Sequence, residues 1–162
     1  MRLGLKDAAA TEAAGAALGK VLPAGDLVIY LHGDLGAGKT TLVRGMIRSL
    51  GHPGRVPSPT YTLVEPYELG SLSLKHLDLY RIADPEELAF LGMREMQGTV
   101  LIEWPERGAH FLPNPDLECR LTVAAPGRVL EAEGRSDAGR ALLAAWDATN
   151  REAGLEHNGL SP

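Results

Sequence analysis

The chain has 162 residues, a net charge of −5 and one cysteine, Cys119. This length predicts a single domain that can bury its own core, and one cysteine excludes an intrachain disulfide. The negative charge and the absence of a lysine or arginine cluster in the sequence argue against strong direct binding of nucleic acid. No apolar run is long enough to span a bilayer, and the first 20 residues lack the apolar stretch of a signal peptide. We therefore expect a cytoplasmic protein with no membrane partner.

The first third of the chain predicts a helix, a buried strand, a glycine-rich loop and a second helix. Apolar residues recur at helical spacing over 7–22, and the short apolar run over 27–31 is typical of a buried strand. The loop over 33–38 leads into a helix over 40–50, whose apolar residues share one face. This order places the loop directly after a buried strand and directly before an amphipathic helix.

Later segments predict hairpins and further helices. Asp84 supplies a capping side chain and Pro85 the first position of a helix. The predicted elements after a proline-containing loop over 55–61 are strands over 62–69 and 72–79, a helix over 84–92, a strand over 99–103, strands over 117–124 and 128–134, and a helix over 136–149. The pattern predicts an α/β fold over residues 1–150, a three-layer domain with a mixed, partly parallel sheet. Residues 151–162 have few apolar anchors and are predicted to form a flexible tail.

The glycine-rich loop matches the phosphate-binding pattern G-x-x-x-x-G-K-[ST] in full. Its glycines let successive N–H groups converge on phosphate oxygens, and the following helix directs its positive end at the same anion. The lysine reaches the terminal phosphates, and the last hydroxyl is placed to bind Mg²⁺. A chance glycine turn is the weaker alternative, because the flanking strand and helix are what the motif requires. We predict a P-loop NTPase-like domain whose nucleotide contacts are Gly33, Asp34, Leu35, Gly36, Ala37, Gly38, Lys39, Thr40 and Thr41.

Two acidic residues at predicted strand ends are candidates to complete this site. Glu103 ends a fully apolar strand, and Asp78 lies near the end of another. Carboxyl ends of strands are where ligands bind in such sheets, so we expect Lys39, Asp78 and Glu103 to be catalytic; a solvated strand end is the alternative for each acid. Thr60 lies in the loop that can approach the terminal phosphate, and an ordinary turn is an equal alternative there.

Other polar and aromatic residues carry weaker signals. The five histidines show no spacing typical of metal ligands, so the sequence predicts no zinc site. Trp104 follows Glu103 directly and is expected to pack, with covering the nucleotide or contacting a partner as alternatives. Arg81 is expected to be exposed, with a contact to phosphate or base as the alternative.

Four segments resemble the TsaE family, also called YjeE. They are GDLGAGKTT at 33–41, SPTYTLVEPY at 58–67, HLDLYRIADPEELAFLG at 76–92 and IEWPERG at 102–108. The resemblance runs from about residue 11 to residue 145 and rests mainly on the second and third segments, because the first is shared by many NTPases. It implies Mg²⁺-dependent hydrolysis of ATP. It also implies association with the TsaB–TsaD pair, which forms the threonylcarbamoyl group on adenosine 37 of ANN-decoding tRNAs, so that tRNA is contacted only indirectly.

The resemblance also implies roles for individual residues. By analogy with the family, Thr40 and Glu103 are Mg²⁺ ligands. The segment Ser58-Pro59-Thr60 acts as a switch-like loop and Asp78 belongs to a second one, while Thr11 and Arg128 contact the nucleotide. If Glu103 holds the metal, the general base is Asp78, another water or the phosphate itself.

Two other functions fit the same loop. A small-molecule kinase shares the motif, but such kinases usually bring an arginine-bearing lid, and the sequence shows none. A nucleotide sensor that docks to partners without catalysis is the second alternative. The residues themselves do not separate ATP from GTP, because no base-recognition motif is visible; the choice of ATP rests on the family.

Overall fold

The computed structural model describes residues 1–155, which form a single sheet with helices packed against it. The strands are β1 Arg2–Leu5, β2 Leu27–His32, β3 Val64–Leu69, β4 Leu72–Asp78, β5 Thr99–Glu103, β6 Leu117–Ala124 and β7 Gly127–Gly134. The α-helices are α1 Ala8–Lys20, α2 Lys39–Ser49 and α3 Asp137–Glu152, and short 3₁₀ helices lie at Pro85–Leu91, Met93–Glu95, Pro105–Arg107 and Ala109–Phe111. The predicted order of elements from residue 27 to α3 is confirmed, with the segment over 84–92 helical but of the 3₁₀ type.

The seven strands form one mixed sheet in the order β1-β7-β6-β2-β5-β4-β3. Strand β2 is parallel to both of its neighbours, β5 and β6, and β4 is parallel to β5. The remaining pairs are antiparallel, which confirms the predicted mixed, partly parallel sheet. Because β2, β4 and β5 run in the same direction, their carboxyl ends meet at one edge, where ligands bind in such sheets.

The central strands are buried on both faces, which explains their continuous apolar character. Leu31, Leu74 and Leu101 pack with the α-helices in one core cluster. Leu77 and Ile102 belong to a second cluster on the opposite face, together with side chains of the 3₁₀ segments. Side chains alternate between the faces along a strand, so the three-layer prediction is confirmed.

Helices α1 and α2 cross at very short range because each has a glycine that faces the backbone of the other helix. A Cβ atom at Gly15 would lie 1.9 Å from the carbonyl oxygen of Leu42. A Cβ atom at Gly45 would lie 1.9 Å from the carbonyl oxygen of Glu12. Any larger residue at either position would force the helices apart, and α2 is the helix that follows the glycine-rich loop.

Three elements differ from the sequence-based expectations. Strand β1 was not expected; its four residues alternate too briefly to be recognised, and pairing with β7 buries Leu3 and Leu5. The segment over 84–92 is a 3₁₀ helix rather than an α-helix, although Asp84 caps it as expected. Within it, Leu88 is the buried residue, so it lacks the apolar stripe that normally stabilises an α-helix. Helix α3 continues to Glu152, past the expected end at residue 149.

The chain contains no helix, within residues 1–155, that is long and apolar enough to cross a membrane. The predicted flexible tail over 151–162 begins inside α3, and its residues 156–162 lie outside the described part of the chain.

Candidate functional site

The glycine-rich loop turns directly from the end of β2 into the start of α2. Gly33, Gly36 and Gly38 have φ angles of 141°, 80° and 107°, a region that L side chains rarely adopt. A Cβ atom at Gly33 would lie 2.4 Å from the carbonyl oxygen of Leu121 on β6. Gly38 precedes α2 without any side-chain cap, so the first N–H groups of the helix remain available to an anion.

Lys39 is folded back onto the loop and is 4% exposed. Its Nζ donates hydrogen bonds to the carbonyl oxygens of Gly33 at 2.5 Å and Asp34 at 3.0 Å. The same atom lies 4.1 Å from the centroid of the Trp104 ring. Burial lowers the pKa of Lys39 from 10.5, and nearby carboxylates, Glu103 foremost, oppose that shift. An anion placed beside this ammonium would further favour its charged form.

A cavity of about 470 Å³ opens above the loop at the carboxyl edge of the sheet. Nine residues predicted from the sequence line it: Leu35, Gly36, Gly38, Lys39, Thr40, Thr41, Thr60, Asp78 and Glu103. The other residues lining it are Ser58, Tyr61, Tyr80, Arg81 and Trp104. The predicted strand-end acids and the predicted phosphate loop therefore meet in one pocket, while their roles in binding and catalysis stay predictions.

Glu103 is 2% exposed and its Oε1 atom is held by two side chains. The hydroxyl of Thr40 donates to it at 2.9 Å, and Nε2 of His76 lies 2.8 Å from it. The first contact joins the end of β5 to the first turn of α2, and the second joins β5 to β4. A hydroxyl and a carboxylate at this distance are oxygen donors of the kind that Mg²⁺ prefers.

Asp78 is 4% exposed and anchors the loop that precedes β3. Its Oδ2 accepts hydrogen bonds from the hydroxyls of Ser58 at 2.7 Å and Thr60 at 2.9 Å. Its Oδ1 accepts a bond from the backbone N–H of Tyr80 at 2.9 Å. The two segments that the family resemblance describes as switches are thus joined to each other through this carboxylate.

Five residues expected to contact the nucleotide do not line the cavity. Gly33 and Asp34 contact Lys39 through their carbonyl oxygens, and Ala37 is completely buried. Arg128 donates from Nη1 to the Thr11 hydroxyl at 3.2 Å. A Cβ atom at Gly38 would lie 3.2 Å from Arg128 and 3.5 Å from Thr11, so this pair packs against the loop at Gly38.

Trp104 packs against the second core cluster and Arg81 is exposed, as expected from the sequence, and both also line the cavity. Trp104 adopts a left-handed backbone conformation, with φ 58° and ψ 47°, which turns its ring over Lys39. Such a conformation is rare for a bulky residue and is often found at functional sites. The guanidinium of Arg81 lies 4.2 Å from the Tyr61 ring, and Tyr61 is 83% exposed at the mouth of the cavity. The position of Trp104 directly after Glu103 was the signal that could have found it.

A third finding corrects the expectation that the chain has no arginine cluster. Arg44, Arg48 and Arg55 line one groove of about 710 Å³ beside α2. Arg44 and Arg48 are one helical turn apart on α2, and Arg55 reaches the same groove from the loop after the helix. The three arginines are separated in the sequence, so they do not form a continuous run of positive charge. Arg48 pairs with Glu12 at 2.6 Å.

Metal ligation by side chains alone is not supported in the described part of the chain. Residues 1–155 contain no group of three or more His, Cys, Asp or Glu side chains placed to hold a metal ion. At a phosphate loop, however, Mg²⁺ takes most of its oxygen ligands from substrate phosphates and water. The Thr40 hydroxyl and the Glu103 carboxylate fit that mode.

Comparison with known proteins shows the family. A family model described as "Threonylcarbamoyl adenosine biosynthesis protein TsaE" matches residues 5–130. The chain belongs to the TsaE family. This family takes part in tRNA threonylcarbamoyladenosine biosynthesis, and its match covers the phosphate loop, both strand-end acids and Arg128.

Individual relatives agree with this assignment. The tRNA threonylcarbamoyladenosine biosynthesis protein TsaE of Haemophilus influenzae is 46% identical over 123 residues, covering 74% of this chain and 78% of that protein. The protein of the same name from Nostoc is 44% identical over 130 residues, covering 76% and 78%. Among solved structures, Bacillus subtilis YdiB superposes with a TM-score of 0.74 and 27% identity, covering 94% of this chain and 95% of that chain. The expected P-loop NTPase-like fold is thereby confirmed.

Proposed function

We propose that this TsaE-family protein hydrolyses ATP with Mg²⁺, and that hydrolysis supports formation of the threonylcarbamoyl group on adenosine 37 of ANN-decoding tRNAs. The hydrogen bond between the Thr40 hydroxyl and Glu103 Oε1 is the observation that carries the proposal. It joins a full phosphate-binding loop to a buried carboxylate at the edge of the sheet. A site for phosphate alone would not need an acid there, because a carboxylate repels an anion unless a cation lies between them.

The phosphate loop supplies binding and positioning. The uncapped N–H groups at the start of α2 and the left-handed glycines form an anion site for the phosphates. Lys39 Nζ exchanges its bonds to the Gly33 and Asp34 carbonyls for phosphate oxygens. Its charge then stabilises negative charge that builds up during phosphoryl transfer. Trp104 covers the same ammonium and limits the access of water to it.

Thr40 and Glu103 would hold the metal. The Thr40 hydroxyl donates a hydrogen bond to Glu103, which leaves the lone pairs of the hydroxyl oxygen free to bind a cation. Mg²⁺ held there would supply positive charge against the negative charge that develops on the phosphates. Asp78 already accepts hydrogen bonds from Ser58, Thr60 and the Tyr80 backbone, so we assign it to holding the switch-like loop over the phosphates.

The partners follow from the family and stay a proposal. We propose that the TsaB–TsaD pair docks to this protein, that tRNA is contacted only through that assembly, and that the site works in the cytoplasm. If docking stimulates ATP hydrolysis, it would act on the loop around Thr60. That loop contains no helix or strand, and hydrogen bonds such as the one from Thr60 to Asp78 hold it in place.

An assay of phosphate release from ATP in the presence of Mg²⁺, with and without purified TsaB–TsaD, tests the proposal. We expect release that rises when the pair is added. Release at background in both conditions would favour a nucleotide sensor, and phosphate transferred to an added metabolite would favour a small-molecule kinase.

Glu103→Ala tests the role of the carboxylate in the same assay. We expect hydrolysis to fall by at least about tenfold and ATP binding to fall less, because metal and charge matter most in the transition state. Equal losses in hydrolysis and binding, with a lower melting temperature, would indicate that Glu103 has a folding role instead.

A further inference from the structure

His76 is a completely buried histidine with a single polar contact. It lies on β4 with 0% exposure, on the same sheet face as Asp78 two residues later. The register places it opposite Leu101, one pleat away from Glu103 on the neighbouring strand. Its Nε2 atom lies 2.8 Å from Glu103 Oε1. Burial of a histidine this far is unusual unless the ring makes a specific hydrogen bond.

The contact with Glu103 decides which nitrogen carries the proton. A carboxylate oxygen at this distance accepts a hydrogen bond, so Nε2 must donate. The other nitrogen, Nδ1, is buried and has no hydrogen-bond partner among residues 1–155. The ring therefore contributes one hydrogen bond, and that bond goes to Glu103.

This bond holds the carboxylate of Glu103 from β4, in addition to the bond that holds it from α2. His76 from β4 and Thr40 from α2 both donate to the same oxygen, Oε1. Within the described part of the chain no donor is assigned to the second oxygen, Oε2. Two donors on one oxygen oppose rotation of the carboxylate, because rotation would break both bonds at once.

We propose that His76 is a positioning residue that keeps Oε2 of Glu103 directed to the metal in the nucleotide pocket. The inference rests on the proposed function, since it assumes that Glu103 acts on Mg²⁺. Groups behind metal ligands orient them in this way, and their loss typically lowers metal affinity or activity by about 10–100-fold. His76 does not itself line the cavity, and its hydrogen bond to the lining residue Glu103 is the route by which it can act there.

Two amide substitutions at this position separate positioning from packing. In His76→Gln the side-chain amide nitrogen reaches the place of Nε2 and keeps the bond to Glu103. In His76→Asn it reaches only the place of Nδ1, which has no partner. Both variants bury an amide of similar polarity, and they differ in whether Glu103 receives a donor.

The readout is the affinity for ADP measured by calorimetry, once with Mg²⁺ and once with EDTA. The dissociation constant in EDTA divided by the dissociation constant with Mg²⁺ reports how much the metal strengthens nucleotide binding. We expect His76→Asn to lower this ratio about 10–100-fold while the affinity in EDTA stays within about threefold. His76→Gln should keep the ratio within about threefold of the unmodified protein.

Thr99→Val is the matched control. Thr99 is 1% exposed on β5, and its hydroxyl has no partner in the described structure. It starts the strand that Glu103 ends, so the substitution removes a buried polar atom from the same strand without touching the carboxylate. The control should keep the ratio.

The outcomes separate the inference from the function. If the unmodified protein binds ADP equally with Mg²⁺ and EDTA and releases no phosphate from ATP, the proposed function fails. If the unmodified protein binds ADP more tightly with Mg²⁺ and releases phosphate from ATP, but His76→Asn keeps the full ratio, only the positioning role is lost. Equal weakening with and without Mg²⁺, or equal loss in the Gln and Asn variants, also overturns positioning.

A spectroscopic measurement covers the case in which His76→Asn does not fold. Nitrogen-15 NMR of the imidazole in the unmodified protein distinguishes the two tautomers. We expect the proton on Nε2, with and without Mg²⁺ and ADP. A proton on Nδ1 would mean that His76 donates nothing to Glu103, and the inference would be wrong.

Discussion

The cavity has two walls that are held in different ways. The loop wall, residues 33–49, is a strand-to-helix turn whose helix crosses α1 at glycine contacts too short for any side chain. The switch wall, residues 58–63, has neither helix nor strand. It is attached to Asp78 through the hydroxyls of Ser58 and Thr60 and through a backbone hydrogen bond from Asp78 to Leu63, and Tyr61 within it is 83% exposed.

This difference indicates how the pocket divides its work. Close backbone packing keeps the loop wall in one geometry, which suits a fixed anion site. Hydrogen bonds are worth roughly 1 kcal/mol each, so the few that hold the switch wall can be broken at lower cost than the close helix packing behind the loop wall. We expect the loop wall to provide binding and the switch wall to respond to nucleotide and partners.

Loss of the loop-wall cation should have the largest effect. Lys39→Ala removes the ammonium beside the phosphates, and we expect ATP hydrolysis to fall by at least about a hundredfold. A steady-state phosphate-release assay measures it. Arg48→Ala is the control, because it removes a cation from the outer face of the same helix and should leave turnover unchanged. Unchanged turnover in Lys39→Ala would remove the phosphate loop from the proposed mechanism.

Disturbing the helix crossing should destabilise the fold that holds the loop wall. Gly45→Ala places a methyl group 1.9 Å from the Glu12 carbonyl oxygen, and overpacking of this kind costs about 1–3 kcal/mol. That cost exceeds the gain of up to about 1 kcal/mol from replacing a helical glycine. Urea unfolding gives the free energy, and Arg44→Ala on the same helix should stay within about 0.5 kcal/mol of the unmodified protein. A stabilised Gly45→Ala would show that this crossing is looser than described.

Weakening the switch wall should change its dynamics without changing the loop wall. Ser58→Ala removes one of the two hydroxyls on Asp78 Oδ2 and leaves Thr60 in place. Loss of about 1 kcal/mol corresponds to roughly fivefold faster amide hydrogen exchange over 58–63. Exchange over 33–49 should not change. Faster exchange in both segments would mean that the two walls open together, against the distinction drawn between them.

The smallest effect concerns the strand behind the loop wall and depends on pH. Burial raises the pKa of Cys119 on β6 from 9.0 to about 12. The folded state then holds the thiol proton more tightly than the unfolded state, so its stabilising effect is complete below pH 9 and is lost as the pH rises toward 12. Unfolding free energy should fall by up to about 1 kcal/mol between pH 9 and 10 on this account.

Cys119→Ala provides the control for that measurement. It should flatten the pH dependence between 9 and 10. A decline above pH 10 should remain in the variant, because burial also raises the pKa of Tyr30 to about 12. A slope that is identical in the variant and the unmodified protein would show that the thiol does not contribute.

The amino-acid sequence determined the local elements around the phosphate site. The phosphate loop was recognisable because its glycines, lysine and hydroxyl follow one another and meet the ligand without help from distant segments. The strand-end position of Glu103 was recognisable because an acid after a fully apolar run is rarely tolerated unless it faces a cleft. The Asp84 cap was predicted correctly for the same local reason. The helix after it is a 3₁₀ helix, because Leu88 alone does not provide the apolar stripe that an α-helix needs.

The tertiary structure alone decided how these elements meet. Thr11 and Arg128 are 117 positions apart, and His76 and Glu103 are 27 apart, so their contacts depend on strand order and register. Strand β1 exists because β7 offers it a free edge and a place to bury two leucines. Side-chain patterns specify which face of an element is buried, whereas burial of polar partners depends on which faces the folded chain brings together.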